Sequence, residues 1–445
     1  MSRTLAQTKI TSARQASIEI LAKFDDTYNL EKDLINNLED QDRQQANEYI
    51  QGILRHRSYL DFLITHYSNV DFDEMGSYFK NILRLGIYDL LFMDGTPDYA
   101  AINEAVEIGK RRISSKTGDL VNAILRKIQR ERNELPKPAA KNRTQLISMT
   151  FSHPEWLVER WVKRFGEREA FQLMQANNKR PAFYIKVNNL KTHTEYFTIR
   201  MKKSDISFTE SDWLPGYYQV ESIKEIKEKG WFEKGLCLVQ DIAAGFAPWI
   251  LDPQPGESVY DICAAPGTKT IVMANMMENK GSILAVDISS DRLEKIAENA
   301  MNYGAENIKI RRADATQVRL KLADAVLLDA PCTGTGVLSK RADLRWKRTQ
   351  KDLDDAVAKQ AELLDAAANM VSKNGRLVYS TCSLEPEENM GQIENFLNNY
   401  DNFELEDLSG YLPEEILSED KKSYQTFPHI HHCDGHFGVL LRRKF

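Results

Sequence analysis

The stretch ESVYDICAAPGTKTIVMANMM, residues 257–277, decides the fold. Its β-rich run from Val259 to Ile262 enters a turn of small residues, Cys263 to Thr268, and an apolar helix begins near Lys269. Strand, tight loop and helix N-terminus in that order form the arrangement that binds a nucleotide-like ligand. The loop carries one glycine, Gly267, where dinucleotide folds have three. The turn alone therefore does not separate a binding loop from an ordinary strand-to-helix connection.

The flanking segments make that separation. SILAVDISSDRLEKIAENA gives a second strand ending in Asp287, the acidic position that accepts hydrogen bonds from a ribose diol, and the order fits an adenosine-containing cofactor. NIKIRRADAT reads as a third strand ending at Asp314, and ADAVLLDAPC as a fourth ending at Asp329. GRLVYSTCS is a fifth, preceded by the helix DDAVAKQAELLDAAANMV with Asn374-Gly375 as its expected C-terminal cap. Strands alternating with helices imply a parallel sheet, and ligands of such sheets sit beyond the carboxyl ends of the strands. HFGVLLRRKF adds one more strand at the chain end.

Two cysteines fall at that edge: Cys332 in VLLDAPCTGTG and Cys382 in RLVYSTCSLEPEEN. Their separation allows one helix to return the chain to the neighbouring parallel strand, so both thiols should reach the same cleft. A single cysteine after a buried strand is more often a small core hydrophobe. Two of them, each near an acid-ending strand, point to chemistry. Cys263 is expected to pack or make backbone contact, and Cys237 and Cys433 to be structural.

CAAPGTKT, VDIS, DAPCTGTGVL and STCSLEPEEN resemble the S-adenosylmethionine motifs and the paired proline-cysteine and threonine-cysteine motifs of the Sun-type (RsmB-like) RNA cytosine-5 methyltransferases. The resemblance runs from about residue 150 to the end and includes LCLVQDIAAGFAP and TFPHIHHCDGHFGVLLRR. The chain departs from the pattern at Thr268, where a second glycine is usual, and at Ala342, where a proline often precedes the aspartate. The resemblance implies S-adenosylmethionine as cofactor, held by Cys263, Ala264, Ala265, Pro266, Gly267, Thr268, Lys269, Asp287, Asp314 and Asp329. Carbon 5 of cytosine is too weak a nucleophile to attack a methyl sulfonium until a thiolate adds to carbon 6. By resemblance Cys382 is that nucleophile, Cys332 serves product release, Asp329 hydrogen-bonds the base edge, and Lys269 assists electrostatically. Single-cysteine DNA methyltransferases share only the proline-cysteine motif, so Cys382 points to RNA.

Residues 1–135 are helical by period, with apolar positions such as Ala16, Ile20 and Phe24, Ile50, Ile53, Leu54, Leu60, Leu63 and Ile64, and Ile82, Leu83, Leu85, Leu90 and Leu91. RHRSYLDFLI, LRLGIYDLLFM, AAINEAVEIGKR and GDLVNAILRKI resemble the all-α RNA-binding domain of the NusB antitermination factor. The expected order is this domain at 1–135, a linker at 136–150, a small α+β RNA-binding module at 151–235, and a Rossmann-like α/β methyltransferase domain at 236–445. The implied substrate is ribosomal RNA, 16S in this architecture, naked or in an early assembly intermediate.

Charge agrees once its distribution is read. The net charge of −6 argues against a nucleic-acid partner, yet Lys110 to Arg143 holds 11 basic against 3 acidic residues, and Asp401 to Asp420 holds 8 acids and no base. Such a basic stretch can neutralise several phosphates. A second cluster, Lys340, Arg341, Arg345, Lys347, Arg348 and Lys351 around Trp346, follows the Cys332 loop and reads as the better substrate contact. Five unpatterned cysteines, the absence of a signal-peptide h-region and the lack of a spanning apolar run suggest a reducing, cytoplasmic setting without membrane contact, and the chain is expected to act as a monomer. The tail HIHHCDGH offers His429, His431, His432, Cys433 and His436, but its spacing matches no tetrahedral zinc pattern, and no metal is expected. A second reading remains: a NusB-like RNA-binding or ribosome-assembly factor whose methylase half is a scaffold. A third changes only the RNA.

Overall fold

The computed structural model describes residues 12–36, 38–93 and 95–445. Residues 1–11, on which the expected absence of a signal-peptide h-region partly rests, lie outside them. Two compact units result, one of Met1–Lys179 with Leu338–Thr349, the other of Arg180–Val337 with Gln350–Phe445.

The first unit is helical, as its period predicts. Helices span Ala13–Thr27, Asp40–Tyr67, Ser77–Phe92, Asp98–Arg112 and Ser115–Arg130, followed by Arg143–Phe151 and Glu155–Asn178. Ser12, Ser114 and Asn142 begin three of them by accepting the backbone N–H groups of Gln15, Thr117 and Gln145, donors with no partner inside the helix. The periodic residues Ile20, Phe24, Ile53, Leu63, Ile82 and Leu85 lie in one buried core. Gly86 lets two helices approach, since a Cβ there would stand 2.6 Å from a methyl of Leu125. Arg84 is also buried, paired with Asp25 at 2.5 Å and Asp61 at 2.6 Å.

Residues 338–349 pack with this unit, and their place corrects the reading of the second basic cluster at Arg345 and Trp346, while Arg341, Lys347 and Lys351 are exposed. Arg345 is only 1% exposed. It donates to the carbonyls of Arg55 and Ser152 at 3.1 Å, Asn177 at 2.6 Å, and to Asn178 Oδ1 at 2.6 Å. Trp346 Nε1 donates to the Leu54 carbonyl at 2.8 Å, and Arg55 Nε to that of Ser339 at 3.0 Å. Arg345 and Trp346 are committed to backbone and core, so they do not face RNA. A sequence reads a guanidinium aimed at carbonyls no differently from one aimed at phosphates.

The second unit carries two sheets. The smaller is antiparallel, with β1 (Phe183–Val187), β2 (Phe208–Glu210), β3 (Tyr217–Val220) and β4 (Cys237–Val239) in the order β2-β3-β1-β4. The larger contains β5 (Ser258–Ile262), β6 (Ser282–Asp287), β7 (Ile308–Arg312), β8 (Ala323–Asp329), β9 (Val371–Thr381), β10 (Phe403–Leu405), β11 (Ser423–Gln425) and β12 (Phe437–Arg443). Its order is β10-β12-β9-β8-β5-β6-β7, with β11 on β12. The five strands β9-β8-β5-β6-β7 are parallel, whereas β12 runs antiparallel to β9. The central β8 buries Ala325 to Leu328 without alternation, as a parallel strand covered on both faces must.

Two details differ from expectation. Asn374-Gly375 does not cap the preceding helix, Gln350–Ala368. Asn374 takes φ 63° inside β9, where the pairing with β8 jumps from Val371 to Arg376, so the dipeptide forms a bulge in the strand. The short strands β10 and β11 were not anticipated, because three residues are too few to show a period.

Candidate active site

The cofactor loop is built by its backbone. β5 ends at Ile262, Cys263 takes a left-handed φ of 61°, and Gly267, at φ 95°, leads into the helix Thr268–Met276. A side chain at Gly267 would press on Ile296 as well as strain the turn. Ala265 N donates to Asp287 Oδ2 at 3.2 Å, and Ser289 N to Oδ1 at 3.0 Å, which ties the loop to the end of β6. From the helix Ser290–Tyr303, Arg292 donates to the Ala265 carbonyl at 2.6 Å and Asn299 to that of Pro266 at 3.0 Å. Asp314, just past β7, accepts the N–H and hydroxyl of Thr316, and these bonds hold its pKa below the ordinary value. A loop of small side chains, a helix N-terminus behind it and acids at the ends of adjacent parallel strands fit a nucleoside with a charged tail. Cys263, Ala264, Ala265, Pro266, Gly267 and Thr268 all lie on this loop. Burial pushes the Cys263 thiol up to about 12, so it stays protonated there.

The two thiols meet. β8 and β9 are parallel neighbours, and the loops after them bring Cys332 Sγ and Cys382 Sγ to 3.3 Å, both as free cysteines. The Cys332 pKa is raised first by its hydrogen bond to Cys382 and then by burial. Either sulfur can donate in that bond. Lys269 Nζ donates to Asp329 Oδ2 at 2.7 Å, and Ser380 Oγ to Oδ1 at 2.9 Å. Burial opposes both charges, but the ion pair outweighs it. Lys269 is held above its ordinary pKa, and Asp329 below, by Lys269 and then by its hydrogen bond from Ser380.

Three functional groups escaped the sequence reading. Glu388 is fully buried and joins the two cysteine loops: its carboxylate accepts from Thr333 N at 2.8 Å, from the Thr333 and Ser383 hydroxyls, and from Gln360 Nε2 at 3.0 Å. Burial raises its pKa against those bonds. Asp261, in mid-β5, accepts from Thr270 Oγ1 at 2.6 Å, and burial pushes it up to about 7. An acid within an apolar strand was its only signal. His436 lies 3.9 Å from Asp329 Oδ1 and is 2% exposed. It belongs to the tail that suggested metal. Among the described residues no group of three or more His, Cys, Asp or Glu side chains could hold a metal ion. His431 Nδ1 instead accepts Phe427 N at 2.8 Å, Cys433 is buried, and so is Cys237. No described helix is long and apolar enough to cross a membrane.

Known proteins share this combination. The family described as 16S rRNA methyltransferase RsmB/F matches residues 248–442, the NusB family matches 3–130, and the ferredoxin-like domain of RsmF/B-like methyltransferases matches 153–223. A probable ribosomal RNA small subunit methyltransferase B from Synechocystis is 33% identical over 90% of this chain and 91% of its own. Its counterpart from Bacillus subtilis is 31% identical over 98% and 100%. This chain belongs to the RsmB family of methyltransferases. The crystal structure of NSun6 from Pyrococcus horikoshii with SFG, an analogue of S-adenosylmethionine, covers 65% of this chain and 98% of that one at 27% identity and a TM-score of 0.58. The RsmB family uses S-adenosylmethionine as methyl donor.

Proposed function

We propose that this chain methylates carbon 5 of a cytosine in 16S ribosomal RNA through a covalent bond between Cys382 and carbon 6. The observation that carries this reading is the 3.3 Å thiol pair. The relatives named ribosomal RNA small subunit methyltransferase B support the substrate, and the family resemblance supports the cysteine roles. S-adenosylmethionine supplies the electrophilic methyl group. Cys382 adds as thiolate to carbon 6, and the ring becomes an enamine nucleophilic at carbon 5. The proton that Cys382 gives up passes to ring nitrogen 3, and Asp329, ionised beside Lys269, accepts its hydrogen bond. After methyl transfer Cys332, its own proton lost to solvent, takes the carbon-5 proton; the electrons of that bond form the carbon 5–carbon 6 double bond, and the carbon–sulfur pair leaves on Cys382, which takes back the nitrogen-3 proton. Cys332 serves that step.

The basic stretch supports an RNA role for the helical unit. Lys110, Arg111, Lys116, Arg126, Lys127 and Arg130 are exposed on two adjacent helices. We assign this face to the phosphate backbone.

The test uses unmodified small-subunit ribosomal RNA transcribed in vitro and methyl-labelled S-adenosylmethionine. Cys382→Ala should give neither labelled 5-methylcytosine nor adduct. Cys332→Ala should accumulate a denaturant-resistant protein–RNA complex that is absent from the double variant. An adduct in Cys382→Ala that vanishes in Cys332→Ala would reverse the roles. Label at any position other than cytosine carbon 5 would end the proposal.

A further inference from the structure

His436 is a buried titratable group that the reaction above does not use. It sits just before β12, between Gly435 and Phe437, and its ring is fixed. His436 N donates to Thr426 Oγ1 and its carbonyl accepts Thr426 N, both at 2.9 Å. Its Nδ1 lies 3.0 Å from the hydroxyl of Tyr424, which is fully buried. Among the described residues that hydroxyl has His436 as its one polar partner. A buried Tyr hydroxyl left without an acceptor is costly, so Tyr424 donates to Nδ1 and the ring proton resides on Nε2.

Nε2 is buried without a hydrogen-bond partner among the described residues, and the nearest acid is Asp329, at 3.9 Å from Oδ1. That separation exceeds a hydrogen bond by about 1 Å, a gap of the kind that closes when substrate binds. Other charged groups act on the same place. Lys269 opposes a positive His436, Asp329 and Asp241 favour one, and burial dominates them all, holding the imidazole neutral with its pKa lowered to about 4.

We propose that His436 is a positioning residue for Asp329: with its tautomer set by Tyr424, it donates from Nε2 to Asp329 Oδ1 and holds the carboxylate, together with Lys269 and Ser380, in the orientation that meets the target base. Three donors then fix one carboxylate, one from the helix after the cofactor loop, one from β9 and one from the residue just before β12. Ser380 and Lys269 alone leave Asp329 free to rock about their two bonds. The assignment rests on the role of Asp329 in the proposed reaction.

The test is methyl transfer by the full chain to the same unmodified transcript, with Cys382→Ala assayed alongside. His436→Phe keeps the ring and removes the donor; it should lower kcat about tenfold, a fraction of what a positioned acid–base group supplies, and leave RNA KM and S-adenosylmethionine affinity unchanged. His436→Gln, which restores an N–H near the same point, should recover most of that loss. In the Asp329→Asn background, followed in single turnover, adding His436→Phe should cost less than about twofold, because the partner is already altered. Nitrogen-15 spectra of labelled histidine should place the His436 proton on Nε2, and Tyr424→Phe should mix the tautomers.

Equal loss in His436→Phe and His436→Gln, a loss carried by KM, full additivity with Asp329→Asn, or a proton on Nδ1 would each overturn the assignment. Wild-type rate in His436→Phe while Cys382→Ala is dead would overturn it and leave the reaction standing. Methyl transfer by Cys382→Ala would instead sink the reaction itself.

Discussion

Arg345→Met tests whether the basic cluster after the Cys332 loop belongs to RNA or to the fold. The guanidinium makes four bonds of 2.6 to 3.1 Å, to three backbone carbonyls and one side-chain amide. Hydrogen bonds to a charged group contribute about 1.5–3 kcal/mol each, so the four amount to roughly 6–12 kcal/mol before burial is counted. Burial, followed by the charge of Arg55, pushes its pKa down. The cost of a buried cation is several kcal/mol, which leaves a net loss of about 3–5 kcal/mol for the variant. Urea unfolding followed by tryptophan fluorescence reads that loss, because Trp346 lies in the same unit. The salt dependence of RNA binding, measured well below the midpoint, should keep its slope. A stability change under about 1 kcal/mol, together with a slope reduced by about one, would show that Arg345 contacts phosphate and would refute the packing argument. The same contacts predict that deleting residues 1–143 is not a clean domain removal. Residues 338–349 would lose Leu54 and Arg55 as partners.

Two further outcomes follow from buried acids. Glu388→Gln presents one acceptor and one NH2 group to four donors, so it should cost about 2–4 kcal/mol in thermal unfolding and slow adduct formation, since both cysteine loops hang on that carboxylate; an unchanged Tm and adduct rate would remove Glu388 from the site's framework. Asp261, raised from 3.8 to about 7, favours the fold when protonated, and that contribution is complete below its unfolded pKa and lost as pH rises through about 7. Asp261→Asn should therefore be more stable than the parent at pH 8, by up to about 4 kcal/mol, and show little advantage at pH 4. A Tm difference that does not vary with pH would refute it.

The parallel sheet was legible because its strands are continuous apolar runs that end in acids, and the pairing of Cys332 with Cys382 because adjacent parallel strands put their ends side by side. Both readings use only period and chain length. What stayed hidden shares a different property. Arg345, Glu388, Asp261 and His436 are polar groups whose meaning is set by partners far along the chain: Arg345 by Arg55 and Ser152, Glu388 by Thr333 and Gln360, His436 by Tyr424 and Asp329. Glu388 stands next to Glu387 in the quoted motif, and nothing local tells the buried acid from its neighbour. Asn374-Gly375 misled for the opposite reason. A dipeptide that tolerates positive φ serves a helix cap and a strand bulge equally well.

The order of events in the proposed reaction follows from the pairing of the two sulfurs. They stand 3.3 Å apart and share a hydrogen bond that either can donate. Once Cys382 is bonded to carbon 6 its sulfur is a thioether, which is a weak acceptor. Cys332 is then the one thiol of the pair still able to ionise, and this is the stage at which a proton at carbon 5 has to leave. The two thiols thus act in sequence because the first step takes one of them out of the pair.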